Sequence, residues 1–415
     1  MSPPGGSPVI DPGDKRAVRI LYVTNLWLGL DDLILYGRSE AAGMPAFLHP
    51  LRGLLAAGHR VDSIVAAEPE ATLGEVRVPW LQGASFELVP WWPFGWQRAA
   101  SVARLLRAVG AALRRQRYDF VYGHHSHGAL GCLAARRAGV TCGQRLYGVK
   151  DLVAELERLP RPMIALRHPL LYMTFRAPKD FLLITDDGSQ GDRAWRWLGR
   201  LGAFDFHFWR NGVDFAPVTN DRPEFGEDER FLFMPARITS WKRQHHALEI
   251  LRELHAMGWT DLQLYIAGAV VDPDYWAEFE RRRDAYALGP FVRYLGSLPT
   301  PALVPYYQHS VAVLAPYEQA SLGNVVIEAL AAGSVVIAQD SPVLDGVIAD
   351  GDNSFRVRSP AEAAARLAAL LENAEQARTV RAQAAACARQ TFESWDERVG
   401  REVRLIETYV ARRRA

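Results

Sequence analysis

Cysteine is nearly absent: 415 residues carry three, Cys132, Cys142 and Cys387. An odd count at wide spacing argues against a disulfide framework, and none sits in the paired spacing of a metal site. A reducing, cytoplasmic setting is the simplest expectation. Surplus charge is missing too. Lys plus Arg number 48 against 47 Asp plus Glu, a formal net charge of +1, which gives no footing for bulk nucleic-acid binding. No apolar run approaches the ~20 residues that span a bilayer. The first 16 residues, MSPPGGSPVIDPGDKR, are rich in Pro and Gly and lack the apolar run of a signal peptide; they read as a disordered tail.

What is present is ordinary for a globular chain, with 49% hydrophobic and 23% charged residues. The length allows two domains with full cores. VRILYVT (18–24) predicts a first strand, and 47–66 reads as helix, Gly stop, strand, the mark of a βαβ unit. Residues 97–117 predict an amphipathic helix with a basic face, YDFVYGHH (118–125) a strand, ALGCLAARRAGV (129–140) a helix, and 181–192 a strand and turn. The alternation restarts at FLFMPAR (231–237), followed by a helix over 245–258. Strands are then expected within 262–268, 291–297, 311–316 and 335–338, before the helix at 361–372 and a long charged C-terminal helix. The expected architecture is α/β: two Rossmann-like β/α/β domains facing across a cleft. Their expected bounds are 17–208 and 209–392, with 393–415 a C-terminal helix packing back on the first domain.

One stretch stands out, APYEQASLGNVVIEALAAGSVVIA (315–338). Glu328 lies in an otherwise apolar run read as a short helix, with Asn324 as its cap and Gly333 as the left-handed stop. A buried carboxylate is costly unless hydrogen-bonded or paired. Asn324 precedes Glu328 by one turn, so both can face one spot near the helix start, where free amides attract anions. An anion cradle beside a carboxylate acceptor suits a sugar nucleotide, phosphate on the amides and ribose diol on the acid. Upstream, FMPARITSWK places Arg237 at a strand end and Lys242 in the loop beyond. Two cations there could neutralise a departing diphosphate.

These residues carry a resemblance. NGVD (211–214), Arg237 with Lys242 five residues on, IAG (266–268), VRYLGS (292–297), LGNVVIEALAAGSVVIA (322–338) and DGVIADGDNSFRV (345–357) together resemble the retaining GT-B glycosyltransferases of family 4, the glycosyl transferases group 1. The resemblance covers nearly all of the second domain and is looser over the first. It implies a hexosyltransferase that moves sugar from a nucleotide-diphosphate donor, UDP foremost, to a small-molecule or glycoconjugate hydroxyl. No metal or other cofactor is implied. Glu328 matches the acid that binds the donor ribose, and Arg237 and Lys242 the diphosphate pair. Leu322, Gly323, Asn324 and Val325 match the loop and helix start that approach the donor. Gly268 and Val292 fall in segments around the donor and its base. Gly37 and Gly43 lie in the loop after the first strand, which typically approaches the phosphates or acceptor.

Two positions depart from the family pattern. Where it places a second acid against the transferred sugar, this chain has Ala320, with Glu318 two residues earlier. Where a first-domain His is common, RLYG (145–148) places Tyr147. Tyr147 and Glu318 therefore join Arg237 and Lys242 as candidate catalytic residues. The departures keep open an epimerase or hydrolase of the same fold, or a non-catalytic sugar-nucleotide-binding protein. GHHSHG (123–128) reads as loop histidines near a cleft rather than a metal site, and Asp272-Pro-Asp274 as a loop. WWPFGW (91–96) and the Arg-rich helix after it read as a hydrophobic loop over the acceptor cleft plus a solvated helix face, in preference to a peripheral membrane element.

Overall fold

The computed structural model describes residues 17–414 except 28, 42–44, 150, 200, 201, 218–224, 227, 228 and 319–321. Among the described residues there are two parallel sheets. The first holds β1 (Arg19–Asn25), β2 (Arg60–Ala67), β3 (Ala84–Pro90), β4 (Phe120–His124), β5 (Thr141–Leu146), β6 (Phe181–Thr185) and β7 (Asp205–Trp209), in the order β3-β2-β1-β4-β5-β6-β7. The second holds β8 (Phe231–Pro235), β9 (Gln263–Ala267), β10 (Val292–Tyr294), β11 (Ala312–Ala315), β12 (Val336–Gln339) and β13 (Phe355–Val357), in the order β10-β9-β8-β11-β12-β13. Both are doubly wound, with helices on each face. That burial explains why their central strands, such as FLLIT and FLFMP, read as unbroken apolar runs.

Four strands escaped the sequence reading. β3, ASFELVP, is an edge strand that pairs only with β2 and keeps one side exposed. β7 and β13 are also edge strands. β5, TCGQRL, looks too polar for a central strand but is wholly buried. Some of its polar groups find partners inside, while Thr141 Oγ1, Gln144 Oε1 and Arg145 Nε have none among the described residues. Gln144 donates to the His125 carbonyl at 2.8 Å, and Arg145 pairs with Glu402 at 2.7 Å.

The chain crosses between domains twice, side by side. Val213 N donates to the Glu393 carbonyl at 3.0 Å, and a Cβ on Gly212 would sit 2.7 Å from the Trp395 backbone. After the second crossing, the helix Trp395–Arg414 returns to the first domain. Its Trp395, Val399, Val403 and Ile406 share a core with Leu51 and Leu54 of the helix Pro45–Ala56. Contact is close: a Cβ on Gly53 would overlap Val399 Cγ1 at 1.9 Å. Glu402 is the polar anchor of this helix. It accepts from Arg145, from Arg398 at 2.9 Å and from the Tyr122 hydroxyl at 2.5 Å. Burial alone would raise its pKa, but the two guanidiniums outweigh burial and hold it below the usual value.

Candidate functional site

The helix Asn324–Ala331 begins at Gly323, which is its N-cap; Asn324 is the first helical residue and does not cap it. The Asn324 side chain is engaged elsewhere, its Oδ1 accepting from Asn211 Nδ2 at 3.0 Å. Asn211 Oδ1 in turn accepts from Arg145 at 3.5 Å, so β5 of the first domain reaches the start of this helix through one side chain. The first amides of the helix have no intrahelical acceptor and lend it a positive end. Leu322 is buried just before it, and Val325 packs half-buried against the domain core. The helix ends as expected, with Gly333 left-handed at φ 72°.

Glu328 lies one turn below Asn324 and keeps a partial opening to solvent. Tyr307 Oη donates to its Oε2 at 2.9 Å. No cation faces it among the described residues. Burial raises its pKa from 4.5 to about 7, with the Asp214 carboxylate adding to the rise and the Tyr307 hydrogen bond opposing it. A lone phenol does not repay the desolvation of a carboxylate. Glu328 is thus a strained acceptor with a free oxygen turned to an opening.

The cationic half of the site forms at the carboxyl ends of β8 and β11. Arg237 is exposed just past β8. The short 3₁₀ turn Ser240–Lys242 brings Lys242 Nζ to 3.4 Å from the Tyr317 ring centre and 4.1 Å from that of Trp241. Burial, and then Arg237, lower its pKa to about 7. Neither cation forms an ion pair among the described residues. Arg243 follows in the left-handed region at φ 55°, a conformation that costs energy outside glycine. Its guanidinium reaches Glu318 at 3.6 Å, and Glu318 N donates to the Trp241 carbonyl at 2.9 Å. Glu318 is therefore an exposed residue turned toward Arg243. Ala320, where the family acid would stand, lies outside the described residues.

Gly268 closes β9 with φ 143°; a Cβ there would lie 2.2 Å from the Ala236 carbonyl oxygen. This glycine lets the loops after β8 and β9 touch. Its N–H donates to the Gly296 carbonyl at 2.7 Å, and its carbonyl accepts from Tyr294 Oη at 2.7 Å. Val292, by contrast, opens β10 at the amino end and packs on the core. The cleft end of that strand belongs to Tyr294 and the residues after it. Asp272-Pro-Asp274 starts a helix rather than forming a loop, with Asp272 capping Tyr275 N at 3.1 Å.

On the first domain, Tyr147 lies past β5. Its hydroxyl and His124 Nδ1 are 2.9 Å apart, and the Arg145 guanidinium stands 4.4 Å from its ring centre. Burial raises its pKa. Among the described residues no direct contact joins Tyr147 to Arg237, Lys242 or Glu328. Gly37, at φ 60°, packs on the Glu75 carbonyl and the Arg77 side chain, not on the second-domain group. Gly43 lies outside the described residues.

The histidines of GHHSHG read as loop residues, and two of the three lie in a turn. His124 ends β4, His125 is left-handed at φ 53°, and His127 precedes the helix Gly128–Arg137. His124 Nε2, His125 Nε2 and both nitrogens of His127 are buried with no hydrogen-bond partner among the described residues. Burial lowers all three pKa values, His125 to about 3 and His127 to about 4. Trp27, Phe47 and Tyr147 surround His125, and Trp91 meets His127. These unpaired neutral imidazoles form a second polar group at a strand's carboxyl end. The left-handed, non-glycine turn was the one signal of it, and dihedrals cannot be read from sequence. The contacts of Asn211, Tyr307 and Tyr317 were likewise visible only in three dimensions. No group of three or more His, Cys, Asp or Glu among the described residues is arranged to hold a metal ion.

Two Rossmann-like parallel-sheet domains, joined by paired crossings and with polar groups at their strands' carboxyl ends, define the GT-B fold. Residues 218–386, most of the second domain, match the family described as Glycosyl transferases group 1. Among curated proteins none matches the chain. Solved structures do. The sucrose-phosphate synthase of Thermosynechococcus elongatus is similar at 18% identity and TM-score 0.72, over 95% of this chain and 100% of that one. HepE of Anabaena, in complex with UDP and glucose, is similar at 16% identity and TM-score 0.66, over 93% and 99%. A glycosyltransferase of Rickettsia africae gives 13% and 0.69, over 95% and 99%. At such identities the likeness establishes the fold. No helix among the described residues is long and apolar enough to cross a membrane.

Proposed function

We propose that this protein is a glycosyltransferase that moves a sugar from a nucleoside-diphosphate donor, UDP foremost, to an acceptor hydroxyl with retention of configuration. The observation that carries the reading is Glu328: a half-open carboxylate, unpaired with any cation, on the helix whose first amides form a positive end. A ribose diol would supply the donors that Tyr307 alone does not. Arg237 and Lys242 would hold the diphosphate and stabilise its charge as the sugar departs, a role that requires no metal. The pair is suited to it because neither cation is spent on an acid among the described residues.

The similar solved structures support the nucleotide assignment only by analogy, since HepE is described with UDP and with UDP-glucose. Among the described residues no side chain at the site is placed as a covalent nucleophile, so attack on the face from which the phosphate leaves is the proposed route. The first domain, with Tyr147 and the buried imidazoles, would receive the acceptor hydroxyl. The test is calorimetric titration of UDP, GDP and ADP against the wild-type chain, followed by product analysis with the matching sugar donor. Binding of one nucleoside diphosphate and an anomer identical to the donor's are expected. Absence of any diphosphate binding overturns the proposal.

A further inference from the structure

Residues 91–117 contain six arginines and not one acidic residue, in a chain whose net charge is only +1 overall. The structure spreads this charge over one helix and sets aromatic rings at its head. In the helix Gln97–Arg115, Ser101, Leu105, Val109 and Ala112 face the core. Arg107 and Arg114 lie on the opposite side, exposed, with Arg104 exposed on the flank. Arg115 pairs with Glu87 of β3 at 3.1 Å; Arg104, Arg107, Arg114 and Arg117 form no ion pair among the described residues.

The loop before the helix follows the carboxyl end of β3. Trp91 is buried and anchors it, while Phe94 is 82% and Trp96 81% exposed. Gly95, at φ 66°, makes the turn between them. Trp92 ties the loop to the basic flank, its ring centre 4.7 Å from the Arg104 guanidinium. The helix packs on a face of the first sheet, against β3, the edge strand, and the helix Gly128–Arg137. Two bare aromatic rings cost solvation free energy in water, and an acid-free arginine face repels a cationic partner and gains no charge complementarity from a neutral one. Both features match one surface, the headgroup boundary of an anionic bilayer, where aromatic rings anchor and arginines meet lipid phosphates.

We propose that the first domain docks on anionic lipid through Phe94 and Trp96 and the Arg104–Arg107–Arg114 face. The attachment is peripheral and reversible. It is independent of the transfer reaction proposed above, since none of these residues belongs to that site.

The full chain is mixed with sedimentable vesicles of phosphatidylcholine, alone or with phosphatidylglycerol, and the bound fraction is measured. Binding to the mixed vesicles only, weakened by added salt, is expected. Arg107→Ala and Arg114→Ala should each lower the partition coefficient about fivefold. Phe94→Ser with Trp96→Ser should lower it by about tenfold or more, with circular dichroism and nucleotide affinity unchanged, because both rings are already outside the fold. Equal partition into both vesicle types overturns the proposal. So does a Phe94→Ser, Trp96→Ser variant that binds mixed vesicles as the wild type does. Tight binding to heparin with no vesicle binding would also overturn it, assigning the face to a soluble polyanion.

Discussion

Replacing Glu328 with Gln should make the free protein more stable and the nucleotide complex weaker. The carboxyl has a folded pKa of about 7 against 4.5 in the ordinary state, chiefly from burial. Between those values the folded chain binds more protons than the unfolded one, so this group's contribution to stability falls as pH rises. Below pH 4.5 it contributes no penalty; above pH 7 the penalty is complete. The shift corresponds to about 3 kcal/mol, and partial solvent contact at the site trims it to about 2 kcal/mol. Gln keeps an oxygen for the Tyr307 hydroxyl and never ionises. The stability difference, variant minus wild type, should therefore be near zero at pH 4.5 and reach about 2 kcal/mol at pH 8. Urea unfolding at the two pH values reads it directly. A ribose diol donates hydrogen bonds to a carboxylate better than to an amide, so UDP affinity should fall by about 1.5–3 kcal/mol in the same variant. Wild-type affinity should rise with pH through about 7, as the carboxylate forms. If Glu328→Gln is less stable than wild type at pH 8, or binds UDP equally well, the reasoning fails.

Three other outcomes follow from the geometry. Arg237→Ala and Lys242→Ala should each lower kcat more than they raise KM, because the charge they stabilise grows in the transition state; steady-state kinetics with a saturating acceptor measures the split, and a pure KM effect counts against the assignment. Glu318→Ala should abolish transfer with UDP affinity nearly intact if Glu318 serves in place of the acid missing at Ala320; a mild effect would confine it to its pairing with Arg243. Gly53→Ala should destabilise the chain by about 1–3 kcal/mol, since the new methyl meets Val399 and must push the C-terminal helix outward; an unchanged urea midpoint would show that helix to be loosely seated.

Much of this molecule is legible from residue order. Apolar runs such as FLLIT and FLFMP announce buried parallel strands, and Gly58 and Gly333 mark helix stops through their positive φ. Glu328 stood out because an acid in NVVIEALAAG has no local partner. Local pattern failed where partners are distant. TCGQRL reads as polar because Arg145 meets its acid, Glu402, 257 residues later. Asn324 looked like a cap until Asn211, 113 residues away, took its side chain. The histidines of GHHSHG read as loop residues, and His125 and His127 do lie in a turn, but their burial leaves no mark in composition. The sequence by itself determined the alternation of strand and helix and the two-domain parse, since those rest on periodicity and short-range spacing. The tertiary structure alone decided which polar groups are satisfied, which rings stand bare in solvent, and how the C-terminal helix closes on the first domain. Those depend on desolvation and on contacts across hundreds of residues, and neither is a property of neighbours along the chain.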